Sequence, residues 1–199
     1  MLDHYNIAYL LDRMMLKKVV AAIVVGFLIT PAGKAVAEVS PLGFVIGKAS
    51  LKDVEEGLPA AAAVVDSGIN KFTLGQMLTV DGNGLEIQGL QTVTFVFTKD
   101  DRLDAVMMKM SRGSGVRDER FNQILNHLSS QYKLVSKNVP FVGNKTAAFR
   151  KENVEISLDS PHMDFSMYVS YTTDSFNKRY KEISSAERQQ KQQQEKSRF

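Results

Sequence analysis

The sequence predicts an α+β protein: an antiparallel sheet with helices packed on one face. Three observations predict it. Gln91–Met110 reads as a β-hairpin, with Val93, Phe95 and Phe97 alternating against Thr92, Thr94 and Val96 before a polar turn at Lys99, Asp100 and Asp101. Val154–Leu158 and Phe165–Tyr171 alternate apolar with mostly polar residues, the pattern of antiparallel strands with one packed and one wet face. Between these strands lie stripes of helical period, the clearest being Phe121, Ile124, Leu125, Leu128 and Tyr132.

The amino terminus reads as an address rather than as fold. Met15-Leu-Lys-Lys precedes an apolar run from Val19 to Ile29, followed by Thr30, Pro31 and Ala35-Val36-Ala37. A positive region, an apolar core of about a dozen residues and a small-x-small site form a secretory signal peptide, with cleavage expected after Ala37 and a natural start at Met14 or Met15. The competing reading is an uncleaved amino-terminal anchor, although the run is shorter than the ~20 residues of a comfortable span. The predicted location is periplasmic or secreted, with no stable membrane span after cleavage.

Composition removes whole classes of function. Cleavage would leave 162 residues carrying 21 basic and 20 acidic side chains, so the excess charge of the full chain belongs largely to the signal and points to no nucleic-acid partner. Cysteine is absent, which excludes a lipoprotein anchor, disulfides, thiol catalysis and cysteine-held metal.

In the mature chain, Leu42–Ile46 reads as a short strand closed by Gly47. Ser50 reads as an N-cap with Asp53 at the third helical position, opening a helix with Leu51, Val54 and Leu58 on one stripe. Ala60–Val65 is compatible with either helix or strand, and Asp66-Ser-Gly is expected to break both. Strand pattern resumes from Lys71, with Gly75 expected as a bulge. Asp81-Gly-Asn-Gly predicts a turn and Leu85–Leu90 a further strand. After the hairpin, Ser111–Gly115 predicts a joint and Arg117–Tyr132 a helix. Strands follow at Lys133–Ser136, Thr146–Phe149, Val154–Leu158 and Phe165–Tyr171, then a helical stripe of Phe176, Tyr180 and Ile183. From Ser185 the chain is too polar to pack and is expected to be a frayed helix or disordered.

The pattern of the two halves is similar, and a tandem α-β-β-β repeat is predicted: an extension and signal over 1–37, halves over 38–111 and 112–184, and a polar tail over 185–199. The segment Phe44-Val-Ile-Gly-Lys-Ala-Ser-Leu-Lys-Asp-Val-Glu-Glu-Gly-Leu resembles the opening of small exported α+β domains of the type found in the outer-membrane assembly factor BamE and the β-lactamase inhibitory protein. The resemblance implies a binding or scaffolding module. It transfers no functional residue.

Chemistry-bearing residues are sparse. His127 reads as a surface histidine, and His162 with Asp159 and Asp164 matches no zinc spacing. Asp81-Gly-Asn-Gly fails as a calcium loop because Thr92 stands where a bidentate Glu is needed. Among the hairpin methionines only Met108 and Met110 share a face, so core filling is expected over copper. No cofactor, metal or catalytic residue is predicted. Tyr168, Tyr171, Phe176 and Tyr180 cluster in sequence where the last strand meets the last helix, read as helix docking or as a partner-binding surface. The expectation is a non-enzymatic protein-binding or scaffolding module of a bacterial envelope. A periplasmic carrier of a small apolar ligand or lipid is the second reading, and a hydrolase the third.

Overall fold

The computed structural model describes residues 38–113 and 119–197. The signal peptide, the joint beyond Gly113 and the expected helix start at Arg117 lie outside the described residues. Within them the order is α1 (Leu51–Gly57), β1 (Val64–Ile69), β2 (Leu74–Asp81), β3 (Leu90–Thr98) and β4 (Leu103–Ser111), then α2 (Glu119–Gln131), β5 (Lys133–Asn138), β6 (Lys145–Lys151), β7 (Val154–Ser160), β8 (Ser166–Thr173) and α3 (Asp174–Lys196).

All eight strands form one antiparallel sheet in the order β1-β2-β3-β4-β8-β7-β6-β5. Each half is therefore a helix followed by a meander of four strands, one more than the predicted three. The halves join where β4 and β8 pair, with Val106 opposite Tyr171 and Met110 opposite Met167. One end of the sheet carries the β2–β3, β5–β6 and β7–β8 loops and is called the loop end below. The other carries the β1–β2, β3–β4 and β6–β7 turns.

Strand alternation decides what each face buries. Leu78, Val80, Val93, Phe95, Phe97, Val106, Phe149, Ile156, Leu158 and Val169 point to one side, where Val54 of α1 and Phe121, Leu125 and Leu128 of α2 cover them. The three α2 residues are spaced i, i+4, i+7, so they form a single stripe down the helix. Each such Phe or Leu removed from water contributes ~1.5–3 kcal/mol. The predicted single helical face holds for α1 and α2 only. Helix α3 lies on the opposite face, where Phe176 packs with Val96 and Ala105. Val96 and Ala105 are apolar because they meet a helix that the first half alone does not supply.

Local chemistry accounts for the elements. Ser50 and Asp53 form a reciprocal capping box, the Asp53 N–H donating to Ser50 Oγ at 3.1 Å and the Ser50 N–H to Asp53 Oδ2 at 2.8 Å. The Ser50 N–H bond, with the Ser50 hydroxyl, holds the Asp53 carboxyl below its usual range. The expected strand at Leu42–Ile46 is a 3-10 turn over Pro41–Gly43 and a strap bonded to β4, with the Gly47 N–H donating to the Leu103 carbonyl at 2.7 Å.

Leu85–Leu90 is likewise not a strand. Asp81 accepts the Asn83 N–H at 2.8 Å, a 3-10 turn runs over Gly82–Leu85, and Glu86 takes a left-handed φ of 52°. Gly84 sits so close to Ala61 that a Cβ there would lie 2.2 Å from its carbonyl oxygen. Conversely, Asp66-Ser-Gly breaks nothing: it runs inside β1, at the sheet edge where glycine is tolerated. The polar tail continues α3 as an exposed helix as far as Lys196.

Candidate functional site

The four aromatic residues singled out from the sequence do not form one surface. Tyr171 is buried on the α2 side, 6.3 Å from the Tyr132 ring, and burial raises its phenol well above the ordinary value. Tyr168, three residues earlier, projects to the other face and donates to Asp164 Oδ2 at 2.8 Å. Phe176 is buried beneath α3, and Tyr180 is half exposed against Phe72 at 4.9 Å between ring centres. Strand parity alone puts Tyr168 and Tyr171 on opposite faces, so the alternation of the last strand already argued against a single surface; what the sequence left open was which face α3 covers.

What Phe176 and Tyr180 do is dock α3. The Thr173 hydroxyl accepts the Phe176 N–H at 3.0 Å as the helix cap and also donates to the buried carboxylate of Asp104, which pairs with Arg179. Further along, Glu187 meets Lys71 of the β1–β2 turn at 2.8 Å. Helix α3 thus crosses the open face from β8, past β4, to Met77 of β2 and the β1–β2 turn. Residues 188–196, about 13 Å of helix, are exposed and extend beyond that last contact.

The remaining candidate chemistry is dispersed. His127 is exposed on α2, and His162 is exposed in the β7–β8 loop. Asp164 accepts the Ser166 N–H at 2.9 Å and then the Tyr168 hydroxyl, which hold its carboxyl below the usual range. No group of three or more His, Cys, Asp or Glu placed to hold a metal occurs among the described residues. Met110 is core and Met108 packs against it, whereas Met107 lies on the other face near Phe176. No helix among the described residues is long and apolar enough to cross a membrane.

The outer edge of β1 is the feature that sequence patterning missed. Val64, Val65 (58% exposed) and Ile69 (65%) leave apolar surface on a strand whose outer backbone groups have no sheet neighbour among the described residues. Beside it, a groove of about 250 Å³ runs between α1 and β1, lined by Leu51, Glu55, Val64, Ile69 and Leu78. Leu51 and Glu55 of the seven-residue α1 form one wall, and β1 and β2 form the other. The opposite edge, β5, is also exposed, but Lys133 and Lys137 guard it and Pro140 follows shortly after. Edge lysines and nearby proline discourage strand addition; both edges carry one bulge, at Val64/Asp66 and at Leu134/Ser136, and β1 differs in having no lysine. The signal available in sequence was the short β-branched run Val64-Val65 with Ile69.

Comparison with protein-family models, with characterised proteins and with solved structures yields no match.

Proposed function

We propose that this chain is an exported, non-enzymatic protein-binding module of a bacterial envelope, and that it adds an extended segment of its partner to the outer edge of β1. The observation that carries the reading is the β1 edge itself: apolar, unguarded by lysine and flanked by the α1 groove. In strand addition, main-chain hydrogen bonds supply affinity and side-chain pockets on one face supply selectivity. The β1 backbone offers the first and the groove between Leu51, Glu55 and Ile69 the second. The signal pattern at Val19–Ala37 supports the location, and the resemblance of the Phe44–Leu58 segment to exported binding domains supports the class.

This reading is preferred to an apolar-ligand carrier because the chain's own side chains cover both faces of the β3–β4 hairpin. Val93, Phe95 and Phe97 lie under the α1–α2 side, and Val96 and Ala105 lie beneath Phe176. The test is a photo-activated cross-linking residue placed at Val65 or Ile69, and for comparison at Leu134 or Val135 on β5, in the native host. A discrete protein adduct from the β1 positions alone is expected. Equal labelling from both edges, or none from β1, would sink the proposal.

A further inference from the structure

The groove beside β1 restricts its occupant more than the strand edge does. It runs from Val64, toward the loop end, to Ile69 beside the β1–β2 turn. Val64 stands opposite Val80, and Ile69 opposite Gln76. Cross-strand partners share a face. Leu78 and Val80 are core on the α1 side and Gln76 keeps their parity, so Val64 and Ile69 both turn toward α1. Of the eight residues lining the groove, Glu55 alone is charged, and Gln76 is the one other polar side chain.

The charges around Glu55 are already engaged. On α1, Lys52 meets Glu56 at 3.7 Å, and Asp53 closes the cap on the Ser50 N–H at 2.8 Å. Asp101 accepts the Leu51 N–H at 2.9 Å, and the Arg102 guanidinium donates to the Lys48 carbonyl at 3.2 Å. Lys48 pairs with Glu38, and Lys71 with Glu187. Glu55 has no hydrogen-bond or ion-pair partner among the described residues.

An apolar wall with one unpaired carboxylate at its rim fits a cation carried on an apolar stem, the form of a lysine or arginine side chain. We infer that the segment added to β1 belongs to another protein and carries an arginine or lysine on the face toward α1, flanked on that face by aliphatic residues, and that Glu55 selects it. This rests on the strand-addition reading. The stem lies along Leu51 and Ile69 while the charged head reaches Glu55. Side chains on one strand face are ~6.8 Å apart, so an aliphatic neighbour covers the groove toward Val64. The β1 strand of a second copy holds Asp66 and no basic residue. A symmetric antiparallel β1–β1 pair would also bring both α1 helices onto one face, carboxylate toward carboxylate.

The test places the photo-activated residue at Val65 of the full chain in the native host and varies α1. Glu55 and Glu56 are both exposed, so neither change threatens the fold. Glu55→Gln should lower the yield of the partner adduct about threefold and Glu55→Lys about tenfold. Glu56→Lys makes the same change of net charge one residue away, outside the groove, and should alter the yield less than about twofold. The joined segment, released by a protease that does not cut at basic residues, should contain Arg or Lys two positions from an aliphatic residue. A parent adduct whose yield ignores Glu55, or falls equally in Glu56→Lys, would overturn the inference and leave strand addition standing. A joined segment without a basic residue would do the same. No adduct from the parent would remove both. An adduct joining Val65 to β5 of a second copy would also overturn the inference, by assigning Glu55 to self-assembly.

Discussion

Removing the Asp104 carboxylate should release α3 while leaving the sheet folded. Asp104 is buried at the start of β4, where it accepts the Thr173 hydroxyl, the Ser175 hydroxyl at 3.3 Å and the Arg179 guanidinium. Breaking a fully buried ion pair costs ~3–5 kcal/mol. The Arg179 side chain is 35% exposed, so water recovers part of that loss, leaving about 2–3 kcal/mol for Asp104→Ala. The other contacts of the helix are weaker: Tyr180 packs on Phe72, and the Arg150–Asp174 pair at its first residue is 41% and 50% exposed and contributes ~0–1 kcal/mol. Phe176 is the one buried side chain of α3, and the Lys71–Glu187 pair is more than half exposed at both partners and contributes ~0–1 kcal/mol. The cost should therefore appear as local opening. Amide exchange over residues 177–184 should accelerate by about 30- to 150-fold in Asp104→Ala, with β3 and β7 amides changing far less. A double-mutant cycle with Arg179→Met should show strong coupling. Exchange in α3 that stays within about threefold of the parent protein would refute the view that Asp104 anchors the helix.

Two further predictions concern stability. Gly75→Ala would put a Cβ 2.2 Å from the Phe97 carbonyl oxygen at the β2 bulge, so the urea midpoint should fall by the equivalent of about 2 kcal/mol or more; an unchanged midpoint would mean that the bulge relaxes freely. For Tyr171, burial raises the folded-state pKa above the unfolded value. Its contribution is complete below the unfolded pKa and is lost as pH rises past about 10, where the unfolded phenol ionises first. Unfolding free energy measured against pH should therefore decline above that point, and less steeply in Tyr171→Phe. Identical slopes would assign the alkaline loss to other groups, Tyr132 first among them.

What was legible in the sequence was what period alone determines. The Phe121–Leu128 stripe, the hairpin alternation and the clean β7 pattern stand in the structure as read, because a residue's face follows from parity once the element is right. Strand β8 keeps Met167, Val169 and Tyr171 on the packed face, but it begins at Ser166 and leaves Phe165 exposed in the loop before it. The Ser50–Asp53 cap was equally legible, since both partners lie within one turn. Errors arose where tertiary contact overrode local preference. Leu85–Leu90 has strand-like residues, yet Asp81 and two left-handed residues fold that segment into turns. Asp66-Ser-Gly has breaker residues, yet pairing with β2 extends it. The opposite placement of α3 was hidden because the stripe of Phe176 and Tyr180 says only that a face is buried, not which side of the sheet receives it. The β1 edge was hidden for a further reason: exposure there depends on the strand order, which puts β1 at the end of the sheet and is not written in the local pattern.

The central claim is strand addition at β1, and backbone protection tests it most directly. Hydrogen exchange should be followed over residues 64–69 and, as the opposite edge, over 133–138, in the free protein and in the complex recovered through the β1 cross-link position. The proposed function predicts that β1 amides slow in the complex while β5 amides keep their free-protein rates. Unchanged exchange in β1 within a stable complex would contradict it and place the partner elsewhere on the molecule.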